Sequence, residues 1–327
     1  MRAVENAMNS TSDSPATVVG RLAPSPTGAQ HVGNARTYLI AWLSARSRGG
    51  QVVLRTEDID SPRVKPGAAE QAMDDLCWLG LDWDGEPLVQ SRRLPIYDDA
   101  LRRLQNGERV YPCTCTRSDV ERAASAPHLD HEGPNYPGTC SSRKAEDAPA
   151  LAGTVYAWRF RLPAATPAFS DAFRGPVKLD LHNNGGDFVV WKSAGTPAYQ
   201  LAVVVDDAAQ GVTEVIRGDD LLTSTPRQIL LYQSLGLPSP SFAHVPLVIG
   251  PDGRRLAKRH GDTRLSSLRA AGVKPERLLG LLAWSCGWIE RPEPVSLDQL
   301  LKRFSLSAIP TTPFTLTPAI LLSIGYP

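Results

Sequence analysis

Two short segments carry residue types suited to handling phosphate. The first is Pro24-Ser25-Pro26-Thr27-Gly28-Ala29-Gln30-His31-Val32-Gly33-Asn34, set between an apolar strand candidate and a helical pattern. A helix starting here offers unpaired N–H groups and the positive end of its dipole to an anion. His31 adds a donor that is charged or neutral near pH 7. Gly33 removes a side chain, so that a base or ribose can lie against the backbone. The second segment, Asp252-Gly253-Arg254-Arg255-Leu256-Ala257-Lys258-Arg259-His260-Gly261, concentrates cations between glycines. Such a loop can close over the β- and γ-phosphates of ATP and neutralise charge as pyrophosphate departs. Taken singly, each segment also fits a capped surface turn or a basic patch for a nucleic-acid backbone.

A different chemistry is suggested by Cys113, Cys115 and Cys140, which fall in a stretch rich in Pro, Gly and Ser. Three thiols in a segment poor in apolar residues suit a structural zinc ion, which favours thiolates in a tetrahedral shell and can order such a segment. Free thiols on a loop are the alternative. Tyr136, His131 and His128 are the candidates for a fourth ligand. Cys77 and Cys286 sit in apolar helical contexts and read as simply buried.

The elements that must position these groups follow from periodicity. Val18 to Leu22 reads as a strand, a helix begins at Asn34 with Ala35, Tyr38, Leu39, Trp42 and Leu43 on one face, and Gln51 to Leu54 is a valine-rich strand. That order predicts a right-handed βαβ unit and a parallel sheet. Helices are expected over Ala68–Leu79, Pro95–Leu104, Pro226–Leu235, Ser266–Ala271, Pro275–Trp288 and Leu297–Phe304. Strands are expected over Tyr156–Leu162, Phe188–Trp191, Leu201–Val205 and His244–Ile249. Asp206 and Asp207 would then follow a buried strand at its C-terminal end, where they either orient pocket groups or cap the next element.

Composition sets the outer bounds. With 327 residues, 42% of them hydrophobic, the chain can bury a large core. A formal net charge of +1 gives no global attraction for nucleic acid, so any RNA contact must be local. Five cysteines without a regular framework argue against a secreted disulfide scaffold. The first residues are polar and lack the apolar run of a signal peptide, and no apolar stretch is long enough to cross a bilayer. The chain is expected in the cytoplasm, without a membrane partner, as a monomer.

Together, His31-Val32-Gly33-Asn34 and Arg255-Leu256-Ala257-Lys258-Arg259 resemble the paired signature motifs of class I aminoacyl-tRNA synthetases. The match departs from that pattern at Asn34, where a histidine is usual, and at Ala257, where a serine is usual. Three more segments are similar to the glutamyl-tRNA synthetases in particular. These are Arg21-Leu22-Ala23-Pro24-Ser25-Pro26-Thr27-Gly28, Leu54-Arg55-Thr56-Glu57-Asp58-Ile59-Asp60, and Ala198-Tyr199-Gln200-Leu201 through Asp207 to Ile216-Arg217-Gly218. The resemblance spans nearly the whole chain to about Gly261.

The resemblance implies an α/β fold: a Rossmann-type parallel-sheet catalytic domain with a zinc-containing insert and a small helical stem-contact-like domain. On that reading residues 1–16 are a disordered leader, 17–110 and 195–250 the two halves of the catalytic domain, and 111–194 the insert. Residues 251–327 hold the lysine loop and the helical piece, leaving no room for an anticodon-binding domain. The implied glutamate pocket comprises Arg21, Leu22, Ala23, Pro24, Ser25, Glu57, Tyr199 and Arg217. Chemistry agrees, because a ligand with two carboxylates and one ammonium calls for two guanidinium forks and an anion. Glu57 also has Arg55 and Arg63 as possible ion-pair partners. His31, Gly33, Asn34 and Lys258 are implied to serve ATP with Mg²⁺, with His31 and Lys258 as the catalytic pair. Position in the family favours Tyr136 as the zinc's fourth ligand, one ion per chain, with His131 second. The short length and the insert resemble the truncated branch of the family. Its members form glutamyl-adenylate without tRNA and pass glutamate to queuosine in the anticodon of tRNA(Asp). Charging of tRNA(Glu), and a non-catalytic RNA-binding role, are the rival readings.

Overall fold

The computed structural model describes residues 17–59, 64–123, 135–256 and 262–326. The expected leader, Asp60, Arg63, His128, His131 and residues 257–261, Lys258 among them, lie outside these.

The first strand, helix and strand form the expected parallel unit: β1 (Val19–Leu22), α1 (Val32–Arg46) and β2 (Gln51–Thr56), with Arg21 opposite Val53. After α2 (Ala68–Trp78), β3 (Leu88–Val89) pairs parallel with β2. Next come α3 (Leu94–Asn106), β4 (Val110–Cys113), α4 (Arg117–Ala123), β5 (Ala157–Phe160), β6 (Phe169–Asp171), β7 (Gly175–Val177) and β8 (Phe188–Trp191). The chain returns through α5 (Tyr199–Ala209), β9 (Glu214–Gly218), α6 (Ser224–Leu235), β10 (Ser241–Val245) and β11 (Val248–Ile249). It closes with α7 (Leu265–Ala270), α8 (Pro275–Ser285), α9 (Leu297–Arg303), β12 (Phe314–Thr315) and α10 (Pro318–Ser323).

Strands β3-β2-β1 form one set and β9-β10-β6-β7 another, parallel except for the β6–β7 hairpin. The two sets meet edge to edge, where the Thr213 amide donates to the Val19 carbonyl at 2.9 Å and β1 runs alongside β9. From β1 the chain turns one way to β2, and much later it fills the other side with β9. Ligands of open α/β sheets bind at such a reversal, outside the C-terminal ends of the strands.

Helix α1 covers this seam and is buried almost all round, with Leu39, Ile40 and Leu43 fully enclosed. Its expected single apolar face is too narrow a description. The sheet packs on one side of it, and α8 and α9 cover the other with Leu278, Leu282 and Leu300. Arg36, 1% exposed, ties the two layers by donating to Ser285 Oγ and to the Pro246 carbonyl. On the opposite face of the sheet α3, α5 and α6 bury Leu101, Val203, Val204 and Leu231.

Two strand assignments change. Leu201–Val205 lies in helix α5, not in a strand, and residues 201 to 207 are buried throughout. A short apolar run has no period that separates a core strand from a core helix, and here the helix is enclosed on all sides. Asp206 and Asp207 therefore occupy the end of a helix rather than the end of a strand. His244–Ile249 divides into β10 and β11 around Pro246, whose missing N–H interrupts a ladder. The helix expected from Asn34 starts two residues earlier, at Val32, with His31 as its N-cap.

The insert contains an antiparallel sheet, β4-β5-β8, with Val110 opposite Phe160 and Cys113 opposite Ala157. Within residues 111–194, however, β6 pairs with β10, so Asp171 belongs to the central sheet rather than to the insert's own.

Candidate active site

A cavity of about 560 Å³ opens at the β1–β9 seam. Arg21, Ala23, Ser25, His31, Gly33, Asn34, Glu57, Tyr199 and Arg217 all line it. Residues 180 or more positions apart in sequence thus share one hollow. Two of the expected pocket residues do not: Leu22 is fully buried in the core, and Pro24 is off the cavity wall. Alternation explains Leu22, since successive strand side chains point to opposite faces and Arg21 takes the cavity side. Pro24 serves through its carbonyl, which accepts the Glu57 amide at 3.1 Å and fixes the end of β2 beside the first loop.

The charged end of the cavity stands on three adjacent strands. Arg55 on β2 is fully buried and donates to Asp207 Oδ1 at 2.6 Å, to Gln210 Oε1 at 3.1 Å and to Glu57 Oε1 at 3.1 Å. Of the two partners considered for Glu57, Arg55 is therefore the one among the described residues. Glu57 still lines the cavity, with Oε2 3.5 Å from Ser25 Oγ. Arg21 on β1, 7% exposed, lies 3.5 Å from Asp207 through a buried Nε that makes no hydrogen bond. Asp207 thus compensates two guanidiniums from the end of α5.

Arg217 on β9, 4% exposed, is held differently. Its Nε donates to His244 Nε2 at 3.0 Å and its Nη2 to Thr225 Oγ1 at 2.8 Å, while Nη1 is 3.5 Å from the Tyr199 hydroxyl. His244 Nδ1 lies 2.6 Å from Asp171 Oδ2. Burial lowers the pKa of His244 and outweighs the hydrogen bond to Asp171, which raises it, and Arg217 lowers it further. Because Nε2 accepts the Arg217 Nε–H, the ring carries its one proton on Nδ1 and is neutral. Burial also opposes charge on Asp171, yet the hydrogen bonds from His244 and from the Arg174 amide outweigh it and keep the carboxyl below its ordinary value.

At the other end, His31 caps α1. Its Nδ1 accepts the Gly33 amide at 3.1 Å, and Asn34 Oδ1 accepts the His31 amide at 3.1 Å. Burial, helped by Arg255, pushes the imidazole down to about 4. With Nδ1 accepting and the ring neutral, the one proton sits on Nε2. Asn34 is accordingly occupied as a cap, a use open to any short polar side chain at this position. A Cβ on Gly33 would meet the His31 ring at 3.0 Å and the Val248 side chain at 3.5 Å, so the ring itself accounts for the glycine. The Thr263 carbonyl takes the Val32 amide at 3.0 Å, and Arg255 and Leu256 line the cavity. Both described flanks of the basic loop are thus anchored beside the helix N-terminus.

In the insert, the sulfurs of Cys113, Cys115 and Cys140 lie within 4.8 Å of one another. The Tyr136 oxygen is 3.4 Å from Cys113 Sγ and accepts the Cys140 amide at 2.8 Å. Ligands of a tetrahedral zinc are spaced at about 3.8 Å for two sulfurs, from Zn–S bonds of roughly 2.3 Å. The donor set and its spacing therefore suit that ion.

Asp171, Thr225 and His244 carry no motif, and sequence reading missed them. One signal was available: His244 interrupts an apolar strand, and a polar residue inside such a run is more informative than an exposed one.

Fold and site define a nucleotide-dependent ligase of the tRNA-synthetase type. Residues 17–308 match the tRNA synthetases class I (E and Q), catalytic domain, and the chain belongs to this family. It is 53% identical over 308 residues to the glutamyl-Q tRNA(Asp) synthetase of Symbiobacterium thermophilum, spanning 90% of this chain and 94% of that one. To the protein of the same name from Rhodopirellula baltica it is 55% identical over 280 residues, spanning 82% and 85%. The crystal structure of glutamate-tRNA synthetase from Elizabethkingia anophelis superposes with a TM-score of 0.80 at 29% identity, over 93% of this chain and 69% of that one.

Proposed function

We propose that this chain activates L-glutamate with ATP, without needing tRNA, and transfers the glutamyl group to the queuosine base of tRNA(Asp). The observation that carries the first half is charge. Arg21 and Arg217 line the cavity together with Glu57, and Arg255 pairs there with Asp220, so the described lining carries one positive charge in excess. Glutamate carries a net charge of −1 with two carboxylates and one ammonium, so it neutralises that excess and supplies the groups these side chains recognise. Arg217 and Arg21 take the carboxylates, Glu57 the ammonium, and the Tyr199 hydroxyl donates to one carboxylate. The second half rests on likeness to the two proteins named for that reaction.

The α-carboxylate of glutamate attacks the α-phosphorus of ATP in line, forming the glutamyl-adenylate and expelling pyrophosphate. Position and charge lower this barrier more than proton transfer does. His31 donates from neutral Nε2 to a phosphate oxygen, and the basic loop with Arg255 and Lys258 offsets charge on the leaving group. Mg²⁺, when bound with ATP, would share in that neutralisation. A queuosine hydroxyl then attacks the anhydride carbonyl, its proton is released, and AMP leaves. A second cavity of about 690 Å³ adjoins Gln200, next in sequence to Tyr199, and is lined by Arg117, Arg159, Lys192 and Arg227 against Asp187. Its basic lining suits an RNA backbone beside the reacting end. Cys113, Cys115, Cys140 and Tyr136 would hold a structural zinc, which when bound would order the insert that forms this wall.

The deciding experiment incubates the protein with labelled glutamate, ATP and tRNA, comparing tRNA(Asp) with and without queuosine and tRNA(Glu). Label on queuosine-bearing tRNA(Asp) alone is expected. Charging of tRNA(Glu) in preference would replace the acceptor, and no glutamate-dependent ATP–pyrophosphate exchange would remove the activity. Lys258→Ala is expected to abolish glutamate-dependent AMP formation with the fold intact.

A further inference from the structure

Among the described residues no carboxylate lies within ion-pair distance of Arg217, whose side-chain hydrogen bonds run to His244, Thr225 and Tyr199. A buried arginine is usually paired with one, as Arg55 is with Asp207 and Glu57. Here the partners are a neutral imidazole and a hydroxyl. The arrangement is built by the sheet. Arg217 and His244 are register partners on β9 and β10, and Asp171 ends β6 on the far side of β10. Three neighbouring strands thus place carboxylate, imidazole and guanidinium in one row.

We propose that Asp171 and His244 are positioning residues, which clamp Arg217 through an uncharged acceptor so that its whole charge stays available to the carboxylate of the substrate. This rests on Arg217 being a carboxylate-binding group, as argued above. The row works through one proton. Asp171 Oδ1 accepts the amides of Phe173 at 2.9 Å, Arg174 at 2.8 Å and His244 at 3.2 Å. That leaves Oδ2 for His244 Nδ1, which must therefore carry the ring's proton. Nε2 is then a lone pair, and it receives Arg217 Nε–H. Thr225 Oγ1 accepts Arg217 Nη2–H and sits 3.0 Å from the same Nε2, closing the back edge of the guanidinium. The front edge, with Nη1, faces Tyr199 and the cavity. Had a carboxylate stood where His244 stands, it would hold Arg217 equally well but cancel the charge that an incoming anion needs.

Asp171→Asn tests the proton directly. The three amides pin the asparagine oxygen, so its NH₂ group faces His244 Nδ1 and drives the ring proton to Nε2, against Arg217 Nε–H. In ATP–pyrophosphate exchange this variant should raise KM for glutamate about tenfold or more, with KM for ATP changed by less than about twofold. Thr225→Val should do the same to a smaller degree. Equal rises in both constants, or none, would overturn the clamp. Imidazole nitrogen NMR of the unaltered protein gives a readout that needs no variant to fold: His244 should be protonated at Nδ1, and a proton found on Nε2 would refute the inference. The two claims fail separately. A protein with no glutamate-dependent exchange removes the functional reading, while the tautomer still decides whether the clamp exists.

Discussion

At the charged end of the main cavity, Arg55, Arg21 and Arg217 stand on β2, β1 and β9, with Asp207 behind them on α5. In the insert, Cys113, Cys115, Cys140 and Tyr136 stand on one strand end and the irregular chain beyond it. Both groups are buried or nearly so, and both are polar clusters that cost free energy to enclose. The first is made rigid by the central sheet, because β2 is paired on both sides, β1 and β9 each pair with a neighbouring strand, and α5 is buried over residues 201 to 207. The second has only a small apolar surround, Tyr111 and Val120, to hold it. Preorganisation thus comes from the fold in one region, and in the other an ion bound by the thiolates would supply it.

The sharpest way to break this comparison is to remove a side chain from each region and see which property falls. Arg217→Ala should reduce glutamate activation about a thousandfold, since truncating a desolvated charge that meets an opposite one costs several kcal/mol. Melting temperature should stay close to that of the parent protein, because the backbone of β9 does not depend on the guanidinium. A large loss of stability with activity retained would reverse the assignment. Cys140→Ser should do the opposite. Bound zinc should fall from one per chain, the insert should lose roughly 2–4 kcal/mol of stability, and glutamate-dependent exchange should drop far less than with Arg217→Ala. Metal analysis and thermal unfolding measure both. A parent protein that binds no zinc after refolding with it would end the metal assignment.

A smaller effect is expected at Gly33. Gly33→Ala places a Cβ about 3.0 Å from the His31 ring, so the imidazole must move by a few tenths of an ångström. A shift of that size should cost about 1 kcal/mol, read as a several-fold rise in KM for ATP with KM for glutamate unchanged. If instead the glutamate constant moves, the two ends of the cavity are not separate.

How much of this was legible in the sequence differs along the same line. The first βαβ unit was readable because its apolar positions alternate or recur at helical spacing and its loop is marked by prolines and a glycine. The pocket arginines, Glu57 and Tyr199 were readable through family motifs. Leu201–Val205 was misread because enclosure on all sides erases the period that identifies a helix. Leu22 was included with its neighbours because a motif is contiguous while a strand alternates. The clamp on Arg217 was invisible, since Asp171 and His244 are 73 positions apart and only strand order makes them neighbours. Sequence motifs pointed to the groups that line the cavity, and only the sheet revealed those that stand behind them.

The smallest predicted effect concerns His31, and it is the most exact test of the nucleotide end. Burial, with Arg255 adding, holds its pKa at about 4 against an ordinary 6.5. Above about pH 5 the ring is therefore neutral in the ligand-free protein. A group whose folded pKa is depressed adds stability at pH above its unfolded value and loses it as pH falls through the folded one. For His31 that window runs from 6.5 down to about 4, where the unfolded chain takes up a proton that the native one refuses. Activation should thus be indifferent to His31 between pH 6 and pH 8, whereas an imidazolium acting on phosphate would make the rate rise as pH drops through 6.5. Binding of ATP brings negative charge to the ring and should move its midpoint upward. Proton NMR of the His31 ring follows both. A free-protein midpoint near 6.5 would mean that the ring is solvated, that Nδ1 is not committed to the Gly33 amide, and that the neutral Nε2 donor does not exist.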